Sequence, residues 1–159
     1  MTTAPTDVDY AEHLDGRLGG WVAAMGLRVT KATGSEVVAE WTVEDKHCQA
    51  YGIVHGGVHA GMIETVCSVG AAMFSLPEGR SIVGLENSTT FLRAVRVGAH
   101  LVVRATPLVR GRRSQVWEAC ITGADGKMVS TGRVRLLCLE PEALLAGKEV
   151  SLTGEKSAG

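Results

Sequence analysis

The chain has 159 residues, enough for one domain whose core needs no disulfide or metal staple. It carries 16 Lys and Arg against 17 Asp and Glu, a formal charge of −1 that excludes broad electrostatic attraction to nucleic acid or an anionic membrane. Its four cysteines, Cys48, Cys67, Cys120 and Cys138, form no C-x-x-C pair, and three sit in apolar segments. Free thiols in a reducing cytoplasm are expected rather than a disulfide framework.

Residues 1–12 are polar and expected to be loose, and they lack the basic and apolar runs of a signal peptide. Leu14–Met25 suits a short helix weakened by Gly16, Gly19 and Gly20. Leu27–Ala32 and Glu36–Glu44 flank Thr33-Gly34-Ser35, a strand–turn–strand pattern. In the second of these runs Val37, Ala39, Trp41 and Val43 recur at the period of two that puts one apolar face on a strand. A loop over Asp45–Val54 leads to His55-Gly56-Gly57 and then to a long apolar run, Val58–Leu76, stopped by Pro77-Glu78-Gly79. The run is nearly long enough to cross a bilayer, but its acid, its histidine and its small residues favour a buried helix of a soluble protein.

Four strands are then expected, at Ser81–Leu92, His100–Val109, Ser114–Gly123 and Met128–Leu139, with Asp125-Gly126 marking a tight hairpin. From Pro141 onward the chain is rich in Ala, Gly, Ser and Lys, the composition of a flexible tail over 141–159. The order defines one α+β domain over residues 1–140, in which an apolar helix is wrapped by a mainly antiparallel sheet.

On a helical wheel Val58, Met62, Val66, Val69, Met73 and Leu76 share one apolar face. The remaining strip carries Ala60, Glu64, Ser68, Ala71 and Ser75, small enough for a second subunit to approach closely. Glu64 is the only acid in the run, and a carboxylate in a mostly buried helix is costly unless it is paired or has chemical work. Helix reasoning alone leaves a structural and a catalytic role equally open. Immediately before the helix, the paired glycines Gly56 and Gly57 permit a tight turn and leave backbone N–H groups open. Those first amides have no partner within the helix and attract negative charge, which suits a thioester oxygen under attack.

The run from Gln49 to Val58, followed by Ala60-Gly61-Met62-Ile63-Glu64, resembles the active-site segment of hotdog-fold acyl-CoA thioesterases. The branch it is most similar to is the phenylacetic-acid-degradation and 4-hydroxybenzoyl-CoA type. The resemblance implies the hotdog fold, a long central helix wrapped by an antiparallel β-sheet, in homodimers or dimers of dimers with active sites at the interface. It implies Glu64 as the catalytic carboxylate, Gly56 as backbone donor to the thioester oxygen and Gln49 as the amide beside it. Ser68 falls where the family carries a hydroxyl that positions water. Asn87-Ser88-Thr89-Thr90-Phe91-Leu92-Arg93 resembles the strand that lines the acyl pocket. Gly111-Arg112-Arg113-Ser114 resembles a turn that relatives place near the CoA nucleotide, where cations and a hydroxyl suit phosphate; a plain solvated hairpin is equally compatible.

The expected reaction is hydrolysis of an acyl-CoA carrying a small aromatic or a short-to-medium acyl group. Glu64 acts as general base or as nucleophile through a mixed anhydride. His55 is expected chiefly to hold the turn, with Gly57 beside the substrate. No cofactor is expected, and no metal, because His55 and His59 have zinc spacing without a third ligand. Two other functions remain compatible: an acyl-thioester hydratase or dehydratase, and a non-catalytic acyl-CoA-binding protein.

Overall fold

The apolar run after the glycine pair folds as α3, Gly56–Ser75, in the computed structural model, which describes residues 8–149. The helix begins two residues before the apolar run because His55 caps it: the Gly57 N–H donates to His55 Nδ1 at 2.8 Å. That side-chain acceptor satisfies one of the orphan amides of the first turn. A 3-10 turn over Leu76–Glu78 ends the helix, with Gly79 at φ 67° as its left-handed stop.

Six strands wrap α3: β1 Arg28–Ala32, β2 Val37–Thr42, β3 Ser81–Phe91, β4 His100–Arg110, β5 Ser114–Gly123 and β6 Met128–Leu139. Their order is β1-β2-β4-β5-β6-β3, with every pairing antiparallel. The edges of the sheet are therefore β1, five residues long, and β3, eleven residues long. Met62, Ile63, Val66 and Cys67 of the helix are sealed against Val103, Ile121, Val134 and Leu136 of the sheet. By length and composition α3 with its 3-10 extension could cross a membrane, yet 50% of the span is buried inside this fold.

Close contact at the centre depends on Gly70, where a Cβ would collide with the Trp117 ring. The Trp117 Nε1–H donates to Gln115 Oε1 at 2.8 Å, and Gln115 Nε2 donates to Ser75 Oγ at 2.9 Å. Each polar group in this sealed network thus has a partner, as burial demands.

The single helix expected over 14–25 is instead two: α1, Ala11–Leu14, and α2, Gly20–Met25. Gly16 and Gly20 adopt φ of 68° and 58°, a conformation that a right-handed helix cannot pass through. The small-residue strip of α3 is partly covered from within the chain. Trp21 of α2 occupies the space beside Gly61, and Ala71 and Ser75 are buried against Gln115. Only its Ala60–Glu64–Ser68 part stays half-buried. Beyond β6, Leu144–Leu145 and Lys148–Glu149 form a short hairpin, β7–β8. Residues 1–7 and 150–159, in the expected loose terminus and tail, lie outside the described residues.

Candidate active site

Glu64 projects from the middle of α3 toward the edge strand β3. Asn87 Nδ2 donates to Glu64 Oε2 at 3.1 Å and to the Ala60 carbonyl at 3.0 Å. Thr89 Oγ1 in turn donates to Asn87 Oδ1 at 2.6 Å. The other carboxylate oxygen lies against Gly84, where any side chain would take its place. Between Gly84 and Glu86 the β3–β6 register shifts by one residue. This bulge turns Asn87, Thr89 and Phe91 toward the helix, opposite Val134, Gly132 and Ser130. Ser88, opposite Arg133, falls on the other face, with Glu118 and Thr131 around it. The structure therefore brings Asn87 and Thr89 to Glu64 and leaves Ser88 away from it. Ser68 sits one turn beyond Glu64 on the same helical face, half-buried.

The second group of residues gathers at the start of α3. A cavity of about 320 Å³ is lined by Gln49, Ile53, Val54, Gly56, His59, Phe91 and Arg93, among others. No described acceptor takes the Gly56 N–H, so the first amide of the helix remains an open donor. Gly56 is required here by space: a Cβ would stand 2.8 Å from the Phe91 ring. Gln49 Oε1 accepts from the Tyr51 N–H, which leaves its Nε2 hydrogens as the free donors of that amide.

The loop that carries both donors is anchored by His47, which is fully buried. Its Nδ1 accepts the Glu44 N–H at 2.8 Å, so Nε2 carries the proton and donates to the Met25 carbonyl at 2.8 Å. The His47 carbonyl then receives the His55 N–H at 2.8 Å, tying the glycine turn to the same anchor.

His59 has no counterpart among the expected site residues. It lines the cavity one turn after Gly56, is only 3% exposed, and its Nδ1 has no hydrogen-bond partner. Burial pushes its pKa down to about 4, so the ring is neutral at pH 7. Its only visible signal in the sequence was a histidine inside an apolar helix. Cys67, sealed in the core, has its thiol pKa raised by burial, which rules it out as a thiolate nucleophile.

Arg112 and Arg113 lie in the β4–β5 turn and Ser114 opens β5, at the far end of α3, whose last residue is about 16 Å along the helix axis from Glu64 at 1.5 Å per residue. Arg80, 7% exposed, holds this turn by donating to the Arg112 carbonyl at 2.9 Å and pairing with Glu78 at 2.8 Å and Glu140 at 3.2 Å. A cavity of about 440 Å³ opens there between Phe74, Arg80, Arg110 and Arg112. No cluster of three or more His, Cys, Asp or Glu suited to a metal occurs among the described residues.

An open helix-start amide, a free side-chain amide and a carboxylate set against the sheet edge are what thioester hydrolysis requires: donors for the oxygen and a base or nucleophile for the carbonyl. Comparison with known proteins agrees. Residues 51–130 match the family model described as the thioesterase superfamily. The chain is 40% identical to the MT1895 protein of Mycobacterium tuberculosis over 118 residues, 73% of this chain and 84% of that one. It is 32% identical to the proofreading thioesterase EntH of Cronobacter turicensis over 117 residues, 74% of this chain and 84% of the relative. Thioesterase HI1161 of Haemophilus influenzae superposes with a TM-score of 0.79 at 28% identity, covering 87% of this chain and 96% of its own. The chain belongs to the thioesterase superfamily, its fold is the hotdog fold, and its activity is that of a thioester hydrolase.

Proposed function

We propose that the protein hydrolyses acyl-CoA thioesters with Glu64 as general base or nucleophile, in a site that two copies of the chain build together. The observation that carries the reading is a separation. Glu64 and Gly56 are eight residues apart on one helix, about 12 Å along its axis at 1.5 Å per residue, too far to serve one carbonyl.

A second copy closes that gap. β3 is a long free edge with Leu85, Phe91 and Leu92 each at least half exposed, the kind of edge that pairs with another strand. Antiparallel pairing of β3 with its own copy, centred on Ser88, sets Gly84 opposite Phe91 of the second chain, because with the bulged Leu85 left out of the count both lie three positions from that centre. Gly84 carries the Glu64 carboxylate, and Phe91 packs on Gly56. The carboxylate of one copy then faces the Gly56 N–H and Gln49 amide of the other. The acyl carbonyl lies between them, its oxygen held by those donors, while Glu64 takes a proton from water or attacks directly, with Ser68 orienting the water.

The acyl-CoA substrate is also favoured by the names of relatives. A 1,4-dihydroxy-2-naphthoyl-CoA thioesterase of Arabidopsis thaliana is 31% identical over 121 residues. The Arg112-Arg113-Ser114 turn and the adjoining cavity offer cations for the phosphates of CoA, whose long pantetheine arm separates nucleotide from thioester. The four free thiols suit a reducing cytoplasm.

The test is thiol release from aryl and short-chain acyl-CoAs by the native protein and by Glu64→Gln. The native protein is expected to release thiol and the variant to lose at least about 100-fold in kcat, with its fold and oligomeric mass unchanged. Acyl-CoA binding without thiol release from either protein would favour a binding role instead.

A further inference from the structure

We propose that Asn87 and Thr89 are positioning residues that hold the Glu64 carboxylate in its working orientation. The inference rests on Glu64 being the reacting group. Both hydrogens of Asn87 Nδ2 are committed, one to the Ala60 carbonyl at 3.0 Å and one to Glu64 Oε2 at 3.1 Å. The first bond ties the amide to the helix backbone one turn before Glu64, so the second ties the carboxylate to a fixed point. No amide hydrogen remains for a substrate.

Two acceptors decide which way the amide faces, and Thr89 fixes it there. Its Oγ1 donates to Asn87 Oδ1 at 2.6 Å, and a flipped amide would set its oxygen against the Ala60 carbonyl and the Glu64 carboxylate, acceptor against acceptor. Thr89 thus holds the oxygen end of an amide whose nitrogen the two acceptors draw toward Glu64. On the opposite side, Oε1 rests on Gly84 and accepts no hydrogen bond among the described residues. The arrangement divides the carboxylate: Oε2 is tied down and Oε1 keeps its lone pairs for water or for the carbonyl carbon. The bulge after Gly84 makes this geometry available, because it carries β3 from Gly84 to Asn87 without leaving the helix-facing side.

A group that orients the reacting carboxylate without touching substrate affects turnover and not binding. The test uses the full chain with Asn87→Leu, Thr89→Val and Thr89→Ser. It measures kcat and KM on an acyl-CoA that the native protein hydrolyses, affinity for the matching non-hydrolysable acyl-CoA thioether, and thermal unfolding. Asn87→Leu is expected to lower kcat by about 100-fold, the scale of a small misplacement of a reacting group. KM and thioether affinity should stay within about twofold. Thr89→Val should lower kcat by about tenfold, and Thr89→Ser, which keeps the hydroxyl, should restore most of it. Should Asn87→Leu fail to fold, the Thr89 pair decides alone, since Thr89→Val loses the hydroxyl and Thr89→Ser keeps it. The proposal is overturned if Asn87→Leu weakens thioether binding at unchanged kcat, if kcat does not respond, or if Thr89→Ser is as slow as Thr89→Val. Native activity in Glu64→Gln would instead overturn the underlying reading of Glu64, a result these ratios cannot mimic.

Discussion

His59 enters α3 one turn after the open Gly56 amide, with its side chain buried at the cavity wall and its ring centroid 6.3 Å from that of Phe91. A buried imidazole without a partner resists protonation, and the sign of the consequence follows from linkage. The unfolded chain binds a proton at His59 near pH 6.5, whereas the folded chain does so only near pH 4. Between these values the unfolded state holds more protons, so stability falls as pH drops through the window. Urea unfolding at pH 7 and pH 5 should therefore show the native protein losing at most about 2 kcal/mol more than His59→Leu over that interval. Equal losses in the two proteins would mean that the imidazole is solvated in the folded state. At the same scale, Gln49 was named only through the family resemblance, while Gly56 and Glu64 were legible as candidates because spacing before and along one helix survives any detail of packing. The missing partner of His59 was not, since it depends on what the loop and β3 place around the ring.

The strands were readable as elements because alternation is their own property: the expected limits at Ser114–Gly123 and Met128–Leu139 coincide with β5 and β6. Which face of β3 meets the helix was not readable. Ile82 and Gly84 face inward opposite Cys138 and Leu136, and strict alternation from them would continue to Glu86, Ser88 and Thr90. The bulge resets the phase to Asn87, Thr89 and Phe91, and nothing in the local sequence announces it. Gly70 is similar: in the sequence it is one more small residue of α3, and in the fold it is the seat of the Trp117 ring. Replacing it with Ala overpacks a sealed contact between a helix backbone and a rigid side chain. Gly70→Ala should lower unfolding stability by about 2–3 kcal/mol, measured by denaturant titration. Unchanged stability would show that β5 can retreat from the helix without cost.

For the whole molecule, the decisive feature is that one chain places its carboxylate and its oxygen donors at separate ends of β3. The free edge between them carries exposed apolar side chains and a row of unpaired backbone groups, and a second β3 would cover both. A two-fold pairing would complete two equivalent sites at once, each with Glu64 from one chain and Gly56 with Gln49 from the other. The outer face of the sheet is different in character, with exposed pairs such as Arg133–Glu118 and Arg135–Glu86, and it suits solvent. The measurement that tests the shared site most directly is complementation between two inactive proteins, Glu64→Gln and Gln49→Ala, unfolded together and refolded as a mixture. Random pairing makes half the dimers mixed, each with one intact site, so activity should recover to about a quarter of the native level. A mixture no more active than its separate components would contradict the account and place Glu64, Gly56 and Gln49 at work within a single chain.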